Sequence, residues 1–181
     1  MLTFALDTSS PAGSIAALED QRVIGTLSTR TDETYSSRMF RHIEFLLGEL
    51  SLTLEQFDLF AVTAGPGSFT GLRVGLAAVK GWAEVYNRPI AAIGVLECIA
   101  VQSRSSAGIL ASVVDARRGQ VYSEFYRRGD GSEDDSLEPE GEPCAMSPGE
   151  FLEAVRARAQ NGECAIVTPT PQVVLGDPAW L

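Results

Sequence analysis

Histidine is the scarcest resource in this sequence. Among 181 residues there is one, His42. A two-histidine zinc site cannot be assembled within such a chain, and a Ser-His-Asp triad would have to use His42. Cysteine is sparse as well: Cys98, Cys144 and Cys164 are widely spaced, odd in number and lack a CxxC pair. That pattern argues against a disulfide framework and a zinc ribbon, so each thiol is expected as a small buried hydrophobe in a reducing compartment. No apolar run approaches the roughly 20 residues that span a bilayer. The opening Met-Leu-Thr-Phe-Ala-Leu-Asp has no basic region and reads as a strand, not a signal peptide, which places the chain in the cytoplasm and off membranes. Positive charge is also short. Fourteen Lys+Arg face 24 Asp+Glu, a net charge of −10, which weighs against nucleic-acid binding along the whole chain. What is present is an ordinary globular balance, 45% hydrophobic and 21% charged. The length suffices for one domain or two small ones with a real core.

Residues 2–6 form an apolar run that ends at Asp7. The turn-rich Thr8-Ser9-Ser10-Pro11-Ala12-Gly13 comes next, and 14–18 and 22–27 complete a three-stranded meander. Residues 35–50 read as a helix. Met39, Ile43, Leu46 and Leu50 recur on one stripe, which Tyr35, Phe40 and Leu47 widen. Arg38, Arg41 and Glu49 lie off the stripe, and Phe45 projects away from it and needs a cover. A strand over 58–64 is broken by Gly65-Pro66-Gly67-Ser68. A second helix runs from about 70 to 86, 89–93 is a strand, and 95–102 a third helix. Small polar residues at 103–108 mark a boundary, which divides the chain into 1–103 and 104–181. The second part offers a strand at 109–115, a turn at 116–119 and an alternating strand at 120–126. A solvated acidic loop at 129–143, a helix at 148–160 and a strand at 164–167 precede Pro169, Pro171 and Pro178.

Ala5-Leu6-Asp7 with Gly13-Ser14-Ile15 is echoed by Val113-Val114-Asp115 with Gly119-Gln120-Val121. Duplication and chance similarity both account for two such hairpins.

Gly65-Pro66-Gly67-Ser68-Phe69-Thr70-Gly71-Leu72-Arg73 is the most specific segment. It lies after a strand and opens a helix, where free N–H groups can hold an anion. It is neither a Walker A loop nor GxGxxG. The residues favour a tight turn with Ser68 or Thr70 as helix cap. Asp7, Thr8 and Ser9 at a strand end admit a metal-nucleotide or phosphate role, but a turn aspartate is the default. The second helix is apolar on nearly every face and must be covered all round. Gly71, Gly75 and Ala78 leave it one flat side. Another helix or a sheet can approach that side closely, and a sheet can cover one side of the helix; the other side is covered either by the second half of the chain or by a partner, which together with Phe45 points to a helical interface. His42 borders the first helix's stripe and reads as a partly buried histidine. Arg117-Arg118 is a local basic spot in a turn.

These motifs resemble the bacterial TsaB (YeaZ) family. The resemblance rests on Leu6-Asp7-Thr8-Ser9, on GPGSFTGLR (65–73) with Val74-Gly75-Leu76-Ala77, and on 114–122, VDARRGQVY. In order and spacing it covers at least residues 1–126. It implies an α/β actin-like ATPase (ASKHA, ribonuclease H-like) fold with two related subdomains, each a mixed sheet flanked by helices, which makes the hairpin echo a duplication. It implies a non-catalytic role in making threonylcarbamoyladenosine on tRNAs that read A-starting codons. In that role TsaD is the metal-bearing transferase, TsaE an ATPase that joins the pair, the isolated subunit a homodimer, and tRNA an indirect partner. The partner surface would use the first two long helices, with Tyr35, Met39, Ile43, Phe45, Leu46, Gly71, Val74, Gly75, Leu76, Ala78 and Trp82. No cofactor is required. ATP or ADP, if bound, would meet Asp7, Thr8, Ser9, Gly65, Gly67, Ser68 and Asp115.

The sequence departs from the family twice. Glu33-Thr34-Tyr35-Ser36-Ser37 stands where the family often shows His-Ser. The family's usual C-terminal helix is also missing: the chain stops at Trp180-Leu181, as a short member or a truncated sequence would. The competing readings are a stand-alone actin-like ATPase or kinase and a metallopeptidase, the latter opposed by the single histidine.

Overall fold

The computed structural model describes all residues except 32, 34, 130–135, 160–161 and 177–181, with backbone only at 35, 36 and 175. The chain divides into two compact units, Met1–Gly94 and Val95–Leu181.

The first unit opens as the expected meander, β1 (Leu2–Asp7), β2 (Ala12–Glu19) and β3 (Arg22–Arg30). Helix α1 (Tyr35–Leu50) is next, then β4 (Leu59–Gly65), α2 (Phe69–Tyr86) and β5 (Ile90–Gly94). The sheet order is β3-β2-β1-β4-β5, with β1 antiparallel to β2 and parallel to β4. Alternation along the strands puts Phe4, Leu6, Ile15, Ala17, Phe60 and Val62 on one face. There they meet Met39, Ile43, Leu46 and Leu47 of α1 and Val79 and Ala83 of α2 in a single core. Phe4 is fully buried, with Phe57 and Trp82 edge-on at 5.4 and 5.8 Å between ring centroids. Such pairs add to the stabilisation from burial alone. Helix α2 stops at Asn87, which takes the left-handed conformation that suits asparagine at a helix end.

The second unit holds α3 (Val95–Ala100), β6 (Ile109–Arg117), β7 (Gln120–Arg128), β8 (Leu137–Pro139), β9 (Cys144–Met146), α4 (Pro148–Ala159), β10 (Cys164–Val167) and α5 (Gln172–Leu175). Its sheet runs β10-β6-β7-β8, with β9 also on β7. Here β6 is antiparallel to β7 and parallel to β10, repeating the relation of β1 to β2 and β4. One face packs on α4 and α5 through Phe151, Leu152, Val155 and Val174; the other packs on α3 through Leu96 and Ala100. Helix α4 begins with a reciprocal cap: Ser147 N–H donates to Glu150 Oε2 at 2.8 Å, and Glu150 N–H donates to Ser147 Oγ at 3.2 Å.

Several expectations change. The division falls at Gly94 rather than 103, because Leu96 and Ala100 pack on Leu110 and Tyr126 and Ser112 Oγ donates to the Leu96 carbonyl at 2.7 Å. The 129–143 stretch is not all loop: it contains β8, while 130–135 lie outside the described residues. Helix α5 forms among the final prolines. Phe40 does not widen the buried stripe of α1 but is 60% exposed, whereas Arg38, expected off the stripe, is 1% exposed. Cys144 is exposed, not buried; Cys98 and Cys164 are half-buried, and none of the three forms a disulfide. Trp180-Leu181 and the side chain of Tyr35 lie outside the described residues.

Candidate functional site

Two features of the first unit stand out, an outward apolar helix surface and the turn beneath it. On α1 the buried stripe of Met39, Ile43 and Leu46 is at most 6% exposed and consumed by the unit's own core. The outward side instead presents Phe40 and Phe45, at 60% and 59%, beside exposed Arg41 and Glu44. On α2 the outward residues include Phe69, 68% exposed, and Val85, 74% exposed. The Arg73 guanidinium lies over the Phe69 ring, 4.1 Å from its centroid. Val74, Leu76, Ala78 and Trp82, expected at an interface, are partly buried against the core. Phe40, Phe69 and Val85 are the surface residues that stripe reasoning missed; the signal for Val85 was its place in a helix apolar all round.

Gly71 and Gly75 do not face outward. Both are buried. A Cβ on Gly71 would collide with the Thr8 carbonyl oxygen, one on Gly75 with Thr8 Oγ1, and one on Gly67 would lie 2.5 Å from the Ser9 carbonyl oxygen. The flat side of α2 therefore receives the turn between β1 and β2. Ser68 N–H donates to the Ser9 carbonyl at 2.7 Å, and Ser68 Oγ caps the helix by accepting from Gly71 N–H at 3.2 Å. Gly65 has φ +114°, a conformation that glycine alone adopts freely, and the Gly65–Pro66 peptide is cis. In the turn itself, Asp7 Oδ1 accepts from Ser9 N–H and from Thr63 Oγ1, each at 2.8 Å. Thr8 is fully buried and Ser9 is 5% exposed.

On the other side of the turn, Arg38 Nη2 donates to the Pro11 carbonyl at 2.8 Å and Nη1 to Thr29 Oγ1 at 3.3 Å. Nothing in the hydrophobic pattern signals this buried arginine. His42 lies near it, lining a small cavity with Leu6, Ile15 and Leu27. Burial holds its imidazole below the usual histidine range, and the neighbouring Arg41 and Arg38 charges add to the effect. Asp115 belongs to the second unit. There its Oδ1 accepts from Arg117 N–H at 2.7 Å, and Arg117 and Arg118 are exposed at positive φ. Among the described residues no group of three or more His, Cys, Asp or Glu could hold a metal ion, and no helix is long and apolar enough to cross a membrane.

The family model for TsaD, the tRNA N6-adenosine threonylcarbamoyltransferase, matches residues 17–173. The chain belongs to this family. Within it the likeness is to TsaB (YeaZ). The tRNA threonylcarbamoyladenosine biosynthesis protein TsaB of Bacillus subtilis is 34% identical over 131 residues, 72% of this chain and 57% of that protein. The TsaB protein of Haemophilus influenzae is 35% identical over 122 residues, 65% of this chain and 50% of that protein. YeaZ from Pseudomonas aeruginosa superposes with a TM-score of 0.71 at 29% identity, covering 81% of this chain and 67% of that one. The chain thus spans little more than half the length of the curated relatives it matches. The fold is the α/β actin-like fold of that family, built from two related mixed sheets flanked by helices.

Proposed function

We propose that this chain serves tRNA threonylcarbamoyladenosine biosynthesis as a non-catalytic subunit that binds and supports TsaD, presenting the outward faces of α1 and α2. The observation that carries this reading is the set of Phe40, Phe45, Phe69 and Val85, 59–74% exposed on two helices of one unit. Large apolar side chains left exposed on helices offer a partner contact area that water does not favour. The names of the relatives supply the pathway. The transferred group would go to adenosine in the anticodon loop of tRNAs reading A-starting codons, with TsaD performing the chemistry. The same helices would form a homodimer in the absence of TsaD, and TsaE would join the pair. No nucleotide is needed for this role.

Light scattering after size exclusion tests it, on the chain alone and mixed with TsaD from the same organism. A heterodimer that displaces the homodimer is expected. Phe45→Glu should abolish or strongly weaken both, since it places a charge in an apolar contact, while leaving the fold intact because Phe45 is not in the core. A monomer that ignores TsaD and hydrolyses ATP unaided would replace this reading with the stand-alone ATPase.

A further inference from the structure

The two helices that carry the exposed apolar residues share few contacts with each other. Both, however, are held by one short turn. Thr8 contacts α2: its carbonyl oxygen fills the space over Gly71 and its Oγ1 the space over Gly75. Three residues later, the Pro11 carbonyl accepts from Arg38 of α1 at 2.8 Å. Thr8 is fully buried and Arg38 is 1% exposed, so neither touches a partner. Thr8 Oγ1 is buried without a hydrogen-bond partner among the described residues, an arrangement that costs stability. Its position against Gly75 is steric.

We propose that the turn Thr8–Pro11 is the positioning element of the partner surface. Thr8 sets how closely α2 approaches the sheet, the Arg38–Pro11 bond sets α1, and together they fix the spacing of the two helices. Thr8, Arg38, Gly71 and Gly75 are positioning residues, not contact residues. The functional part of this inference rests on the partner reading above; the geometric part does not.

The test uses a steric swap. Gly75→Ala places a methyl group against Thr8 Oγ1. In Thr8→Ala/Gly75→Ala only the Thr8 Cβ remains, 3.4 Å from the new carbon and in ordinary contact. Thr8→Val/Gly75→Ala keeps a branched side chain in the way. Helix spacing is read by electron spin resonance between labels at Gly48→Cys and Gly81→Cys, where a Cβ meets nothing within 4 Å, with the three native cysteines replaced by alanine. TsaD affinity is measured on the same substitutions without labels. Gly75→Ala should shift the label distance and weaken association about tenfold. Thr8→Ala/Gly75→Ala should restore both, and Thr8→Val/Gly75→Ala neither. Arg38→Met is the second probe, should Gly75→Ala fail to fold; it should broaden the distance distribution from the α1 side. An unchanged distance in Gly75→Ala, or rescue by the valine double variant, overturns the inference, as does an unchanged distribution in Arg38→Met. A shifted distance with undiminished association also overturns the link to the partner surface. If the wild-type chain ignores TsaD, the partner reading fails, and the label distances alone decide the geometry.

Discussion

In the first unit β1 ends at Asp7 and the chain turns back as β2; in the second, β6 reaches Asp115 and returns as β7. Each aspartate accepts the N–H two residues on, at 2.8 and 2.7 Å. From there the units part. The Asp7 turn gains Thr63 as a second donor and is driven under α2, with Thr8 fully buried. At the Asp115 turn, Arg117, Arg118 and Gly119 stand exposed at φ +67°, +55° and +76°. The difference lies in the helix placed after the parallel strand. After β4 comes the 18-residue α2, whose glycines admit a backbone; after β10 comes the four-residue α5. One hairpin plan thus yields a buried wedge in one unit and an exposed tip in the other. Strand order alone does not decide which.

The sharpest way to break the comparison is through the cores, which are separate clusters. Phe4→Ala removes a ring buried among Phe57, Phe60 and Trp82 and should cost about 3–5 kcal/mol. Hydrogen exchange should quicken across β1, β2 and β4 and not across β6 and β7; equal loss in both would show that the units share one cooperative core. Phe151→Ala should give the mirror result. Next, Asp7→Ala should cost about 2 kcal/mol in urea unfolding, as it orphans Thr63 and the Ser9 N–H in a part-buried site. Asp115→Ala should cost less than about 1 kcal/mol, because its Arg117 partner is 79% exposed. Equal costs would mean the two turns are buried alike. Ser147→Ala, which dismantles the α4 cap, should cost about 1 kcal/mol.

The smallest effect is titration of His42. Its folded-state affinity for a proton is depressed, so below pH 6.5 the unfolded chain binds more protons than the folded one. Stability should be full above that pH, decline as pH falls through it, and level off once the folded histidine also protonates. His42→Gln should flatten this decline below about pH 6.5. A slope that survives would have to come from other groups.

The meander, the two long helices of the first unit and the β6–β7 hairpin were legible because their periodicities are strong and their turns rich in Gly, Pro and Asp. Arg38 was not. A charged residue off the apolar stripe reads as solvated unless one knows that the Pro11 carbonyl comes to meet it. The spacing of Gly71 and Gly75 marks a flat surface but does not name its neighbour, since sequence spacing cannot say that Thr8, more than sixty residues earlier, fills it. Phe40 fits the stripe by residue type, but in the structure it projects outward from α1. The three-residue strands β8 and β9 are too short for alternation to register.

The parallel pairs carry a consequence for how the chain is made. Thr3 of β1 pairs with Leu59, and Ile109 of β6 with Cys164. The β1–β2 hairpin is complete at Glu19 and the β6–β7 hairpin at Arg128, so at about 5–20 residues per second each waits roughly 2–8 s for its parallel neighbour. Throughout that interval one edge of a finished hairpin is open to strands of other nascent chains. The nascent chain meets this hazard twice, once for each repeat of the plan, and the native protein retains neither opening.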